Sequence, residues 1–351
     1  MNRQVRDFLC PNCGQHLAFE NSVCLSCSSP VGFSSDDVAF LVIAPGGGGE
    51  GAVDASEYQL CANLHLAQCN WLVRVDPIRA LCASCRLTRT RPADDDTVGL
   101  AAFAEAERAK RRLILELTEL KLPVVGRDRD PQQGLAFDLL SSATEKVLTG
   151  HDDGVITLDL AEGDDLHREQ MRIQMDEPYR TLLGHFRHEI GHYYYYRLVV
   201  TSGDRVARFI ELFGDPVSDY GAALERHYRE GAPPGWDQDY VSAYATMHPS
   251  EDWAETFAHY LHIRSALDTA AAYAMAPANA TYQRRVIGPS GFDTIIEMWL
   301  PLAWSLNMLN RAMGKPDLYP FVLPARVLEK MRFVHEVVDE TAAGAPPSVT
   351  G

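Results

Sequence analysis

Residues 188–192 read His-Glu-Ile-Gly-His, two imidazoles four positions apart with a carboxylate directly after the first. On an α-helix, residues four apart lie on one face, about 40° from each other. Two imidazoles so placed can grip one Zn²⁺, and Glu189 then projects beside the metal rather than onto it. Zinc brings the pKa of a bound water down to about 7, and a neighbouring buried carboxylate can take its proton. The pattern points to His188 and His192 as metal ligands and to Glu189 as a general base for hydrolysis. Three fixed residues also coincide by chance, the more so in a chain with 12 His, so the surrounding elements must decide.

Those elements read as helix. Asp176-Glu177-Pro178 is a start signal: Asp can cap, Pro fits the first turn, and acids favour the positive end. Leu182, Leu183, Phe186, Ile190 and Tyr193 recur at helical spacing opposite the two histidines. That arrangement predicts one face on the core and the metal face on a cleft. His185 falls near the ligand face and reads as a core or supporting histidine, since buried polar groups find hydrogen bonds. Of Tyr193 to Tyr196, helical spacing turns Tyr195 and Tyr196 toward the metal face, and packing is the expected role of all four.

A catalytic zinc takes three protein ligands and keeps one position open. Downstream donors concentrate in His248-Pro249-Ser250-Glu251-Asp252-Trp253-Ala254-Glu255-Thr256-Phe257-Ala258-His259, which opens like a helix. Glu251 and Glu255 are one turn apart, and Ala254 and Ala258 beside them would let a second helix approach closely. Glu251 is the expected third ligand, ahead of His259 and of a merely solvated acidic first turn. Glu255 is placed to accept the far N–H of a ligand histidine. Tyr244 reads on spacing alone as a packed tyrosine, although a hydroxyl near the metal could stabilise an oxyanion.

All eight cysteines lie before residue 90, in four pairs. Cys10, Cys13, Cys24 and Cys27 form two knuckles with zinc-ribbon spacing, and Cys61, Cys69, Cys82 and Cys85 form a looser second set. A disulfide framework is the alternative, which a cytoplasmic chain would disfavour. Two closed, structural zinc sites are expected, each of net charge −2 with four thiolates. Lys+Arg number 32 against 48 Asp+Glu, a formal charge of −16, which would repel a nucleic-acid backbone overall. Arg79, Arg86, Arg89 and Arg91 are the basic cluster near the cysteines, read as structural or as a contact for a protein partner rather than for nucleic acid. No run of about 18 apolar residues predicts a membrane span, and the N-terminus lacks an apolar signal core, so a cytoplasmic location is expected.

The remaining text supplies scaffolding. Val98 to Leu122 predicts a long amphipathic helix opening the catalytic domain. Leu135–Leu139 and Val155–Leu160 read as strands, the second expected as an open edge that could hold an extended peptide by main-chain hydrogen bonds. Met298, Trp299, Leu300, Trp304, Leu306 and Leu309 read as core.

The chain resembles the bacterial zinc-binding metallopeptidases that carry an N-terminal zinc ribbon. The resemblance covers nearly the whole chain. It rests on CPNCG at Cys10–Gly14, CANLHLAQCNWLV at Cys61–Val73, LCASCRLTRT at Leu81–Thr90, FRHEIGHYYYYRLV at Phe186–Val199, HPSEDWAETFAHYLH at His248–His262 and LNRAMGKPDLYPFVL at Leu309–Leu323. The catalytic part is similar, more distantly, to the lethal-factor-type branch of the gluzincin peptidases. That likeness implies zinc on His188, His192 and Glu251, Glu189 as general base, Glu255 as supporting acid and Tyr244 at the oxyanion. The expected fold is α+β: N-terminal zinc-ribbon modules, then a mainly helical zincin-like metallopeptidase domain with a small β-sheet. The expected boundaries are 1–33 for the ribbon, 34–95 for the second four-cysteine module, 96–340 for the catalytic domain and 341–351 for a frayed tail. The expected activity is hydrolysis of peptide bonds in a peptide or protein substrate, with one catalytic and two structural zinc ions. The rival reading is a non-catalytic binding or regulatory protein whose third zinc is structural, closed by a fourth ligand such as His248 or His259.

Overall fold

The computed structural model describes residues 6–46, 51–76, 80–142, 147, 149–163, 181–276, 288–319 and 322–344. The helix-start signal at 176–178 and Arg79 lie outside them.

The N-terminal part is held by small sheets and aromatic packing. Strands β1 (Val31–Ser34), β2 (Ala39–Ala44) and β3 (Ala52–Asp54) form one sheet, and β4 (Tyr58–Leu60) pairs with β5 (Leu72–Arg74) in another. β1 crosses positions 33 and 34 and pairs antiparallel with β2. Phe33 packs against Phe19 at 4.9 Å and Trp71 at 5.4 Å between ring centroids. Both cysteine sets border this one cluster. Rings of this size supply the apolar area that such short strands cannot.

Helix α1 (Thr97–Glu119) begins where Asp96 caps it by accepting the Gly99 N–H at 2.7 Å. It packs on a four-stranded sheet ordered β6 (Thr88–Thr90), β7 (Ala136–Leu140), β9 (Val155–Asp159), β8 (Gly150–Asp152). Val155–Leu160 is therefore not the edge: β9 runs between β7 and β8, pairing parallel with one and antiparallel with the other. The two-residue turn Asp153-Gly154, with φ of 45° and 85°, folds β8 back over the outer side of β9 and makes β8 the border strand.

Six further helices follow among the described residues: α2 (Leu182–Tyr194), α3 (Gly203–Phe213), α4 (Tyr220–Glu230), α5 (Pro249–Ala272), α6 (Gly288–Ala312) and α7 (Ala325–Gly344). The fold is α+β. α2 continues past Tyr194 as a π-turn over Tyr195–Val199. The wider turn shifts the tyrosines from ideal helical spacing. Tyr195 packs on Phe209 at 4.8 Å, whereas Tyr196 is exposed and stacks on His151 at 5.9 Å. On α6, Trp299 is buried as expected, but Leu300, Trp304 and Leu309 are exposed. A helix against a core buries one stripe, here Ile295, Trp299, Leu302 and Ala303, and leaves the opposite side outward. No helix among the described residues is long and apolar enough to cross a membrane.

Candidate metal centre

The centre forms where α2 crosses α5. The crossing is close because Gly191 has no side chain: a Cβ there would lie 3.0 Å from Ala254 Cα and 3.2 Å from Ala254 O. The buried Trp253 indole N–H donates to Gly191 O at 2.8 Å and ties the helices together. α5 starts at Pro249 with His248 as cap, its ring accepting the Ser250 N–H. Glu251 and Glu255 thereby face the histidine stripe of α2. The expected apolar face of α2 holds, with Leu182, Phe186, Ile190 and Tyr193 buried and Leu183 partly so.

His188, His192 and Glu251 each offer one donor atom, all within 4.8 Å of one another. His188 Nε2 lies 3.0 Å from Glu251 Oε2 and 3.2 Å from His192 Nε2, and His192 Nε2 lies 3.4 Å from Glu251 Oε1. Zinc bonds of about 2.0–2.1 Å put neighbouring donors about 3.3–3.4 Å apart at tetrahedral angles. Nitrogen, nitrogen and carboxylate oxygen at these separations fit that ion. His248 and His259 stand apart from this group. His248 is spent on the cap and on Ser218, and His259 Nδ1 bonds the Tyr319 hydroxyl.

Each donor is supported. His188 Nδ1 donates to Glu255 Oε1 at 2.6 Å, and Ser242 Oγ donates to Glu255 Oε2 at 2.7 Å. Such a bond fixes the tautomer that leaves Nε2 free for a metal. Burial works to raise the Glu255 pKa, but the His188 hydrogen bond and charge prevail and hold it at about 2. Burial likewise opposes ionisation of Glu251, yet the two histidines bring it well below the usual carboxylate range.

Glu189 is buried beside these donors. Its Oε1 lies 3.2 Å from His185 Nε2, while Oε2 is buried with no hydrogen-bond partner among the described residues. Burial would raise its pKa, but the His185 hydrogen bond and the His188 charge lower it, so it is held as the carboxylate. The Tyr244 ring stands 6.0 Å from His188. Sequence reasoning passed over Tyr220, whose hydroxyl reaches Glu251 Oε1 at 3.3 Å from α4, and Ser242. Neither carries a spacing signal, because each arrives from a separate element. Burial and the Glu251 charge raise both tyrosine pKa values, so both hydroxyls keep their protons.

The cysteines make two further groups, Cys10, Cys13, Cys24 and Cys27, and Cys61, Cys69, Cys82 and Cys85. Sulfurs approach to 3.7 Å between Cys10 and Cys27, 3.6 Å between Cys13 and Cys24, and 3.6 Å between Cys69 and Cys82. A disulfide needs about 2.05 Å. Tetrahedral zinc with bonds of about 2.3 Å needs about 3.8 Å between sulfurs. All eight are free thiols spaced for metal.

Comparison with known proteins agrees with this geometry. Residues 99–337 match a family described as "putative zinc-binding metallo-peptidase". The chain belongs to this zinc-binding metallopeptidase family. Residues 7–96 of this family member match a zinc-ribbon domain, a stretch that includes both cysteine sets. Uncharacterised proteins of Mycobacterium bovis and of Mycobacterium tuberculosis strains CDC 1551 and H37Rv are each 68% identical to it over 344 residues, 98% of either chain. No solved structure matches. Zinc is thus the metal indicated by the family and by the donor sets alike.

Proposed function

We propose that this metallopeptidase hydrolyses peptide bonds with Glu189 as general base, and that it holds three zinc ions: one at His188, His192 and Glu251, and one in each cysteine set. The observation that carries the reading is a buried, ionised carboxylate with one unpartnered oxygen beside a three-donor metal set. Bound zinc supplies a Lewis acid that polarises a carbonyl and acidifies water. Glu189 Oε2 accepts the proton of the attacking water and returns it to the leaving amine. Glu255, braced by Ser242, keeps His188 in the ligating tautomer. Tyr244, protonated, offers a hydrogen bond to the oxygen that gains charge, while the Tyr220 hydroxyl donates to the ligand Glu251. A non-catalytic protein with a closed third site would need a fourth ligand, and His248 and His259 are engaged elsewhere.

The substrate is a peptide or protein. The charge of −16 disfavours a nucleic acid, and the ribbon offers a surface for a protein partner. Eight unpaired thiols in metal-type sets suit the reducing cytoplasm.

Two measurements test this. Zinc content should be three per chain, falling to two when His188 and His192 are both changed to Ala. Glu189→Gln should keep three ions and lower turnover of an internally quenched peptide library by about 10²–10⁴-fold. Undiminished turnover in that variant rejects Glu189 as the base.

A further inference from the structure

Residues 185, 188, 189 and 192 form one stripe on α2, so a third histidine precedes the two ligands on the same face. His185 belongs to the first turn, where the chain is fixed. Thr181 caps the helix by accepting the Gly184 N–H at 2.9 Å, and the His185 N–H donates to Thr181 O at 2.9 Å. The imidazole projects from this turn with its ring edge-on to that of His188, centroids 6.3 Å apart at 85°. Its Nε2 is 3.2 Å from Glu189 Oε1. The other Glu189 oxygen is buried and unpartnered among the described residues.

We infer that His185 is the positioning residue for Glu189: its Nε2–H holds Oε1 and so leaves Oε2 as the oxygen that exchanges protons with substrate and water. A glutamate side chain has three rotatable bonds, and a base must be held within hydrogen-bond reach of the proton it takes. Packing alone does not choose between two equivalent oxygens, whereas one directed hydrogen bond does. This inference rests on the reading of Glu189 as general base, and its test separates the two.

The geometry supplies its own pair of variants. A glutamine amide nitrogen occupies roughly the position of a histidine Nε2, and an asparagine amide nitrogen that of Nδ1. Both are polar and similar in bulk, so folding and zinc content should match the wild type, which melting and metal analysis on the full zinc-loaded chain would verify. On the best-cleaved peptide of a quenched library, His185→Asn should lower kcat about 10- to 100-fold with KM unchanged, as loss of a supporting partner does. His185→Gln should recover at least half of that loss on a logarithmic scale. Equal activity of the two variants, or a change confined to KM, overturns the proposal. A second readout needs no turnover: in ¹⁵N-histidine spectra His185 should be protonated on Nε2, and Glu189→Ala should shift that resonance. No shift also overturns it. Glu189→Gln is run in parallel. If that variant still hydrolyses peptide, or the wild type cleaves none, the peptidase reading fails and the inference falls with it. If Glu189→Gln is dead while His185→Asn is fully active, only the role of His185 is lost.

Discussion

At the scale of residues, the centre consists of carboxylates and imidazoles kept in the charge states their tasks need. Glu255 shows how this couples to stability. Its usual pKa of 4.5 falls to about 2 in the folded chain, so it stabilises the fold above pH 4.5, and that share is lost as the pH drops toward 2. In a chain with zinc in the cysteine sets but none at His188, the loss of unfolding free energy between pH 5 and pH 3, measured by urea melts, should therefore be smaller for Glu255→Gln than for the wild type. The two tyrosines can also be told apart. Tyr244→Phe should cost about 10²–10³ in kcat, as removal of one oxyanion donor does. If Tyr220→Phe alone causes that loss, the role passes to Tyr220. Spacing within a helix made His188, Glu189, His192, Glu251 and Glu255 legible, because donors one turn apart share a face. Tyr220 and Ser242 were not legible, since their partners sit on other elements.

At the scale of elements, the crossing of α2 and α5 decides whether the donors converge. Gly191 lies at that crossing, and the Ala254 backbone of α5 crowds the space a methyl would occupy. Gly191→Ala should force the helices apart, costing about 1–3 kcal/mol of stability. The check is a lowered melting temperature together with weaker zinc retention at the His188 site in a chelator titration. The alanines at 254 and 258 signalled a close approach in the sequence, but Gly191 as the partner emerged only from the fold. The exposed side of α6 is a similar case: hydrophobic composition suggested core throughout, whereas Leu300, Trp304 and Leu309 fall on the face turned away from it.

At the scale of the whole molecule, α1 connects the second cysteine set to the metal helix through charges that are almost completely buried. Arg111 donates to the carbonyls of Ala67 and Gln68 at 3.0 and 3.1 Å, beside Cys69. Glu107 lies 3.8 Å from Cys85 Sγ and pairs with Lys110 at 2.5 Å. Further along α1, Glu116 pairs at 3.0 Å with Arg187, the neighbour of His188. From the N-terminal side, Arg6 pairs with Glu119 at 2.7 Å and with Asp268 on α5 at 2.9 Å. Breaking a buried pair by removing one partner costs about 3–5 kcal/mol. A chain lacking residues 1–95 would lose the Ala67 and Gln68 carbonyls that Arg111 bonds and the Arg6 that pairs with Glu119 and Asp268. It should be expressed unfolded, with no cooperative thermal transition; a sharp transition near that of the full chain would show the catalytic part to be independent.

The sequence by itself determined which side chains could come together as metal donors. Ligand identity and spacing within one helix or one knuckle are local, so His188, Glu189, His192 and the eight cysteines could be read without a fold. The α+β class was legible for the same reason, from helical and strand periodicities. Tertiary structure decided what depends on elements meeting. It placed β8 rather than β9 at the sheet border and brought Tyr220 to Glu251. It set His185 against one oxygen of Glu189, and it tied the second cysteine set to α1 and, through Glu116 and Arg187, to the helix that carries His188. These outcomes turn on which faces are left to be buried together, a property of the packed chain that no local spacing encodes.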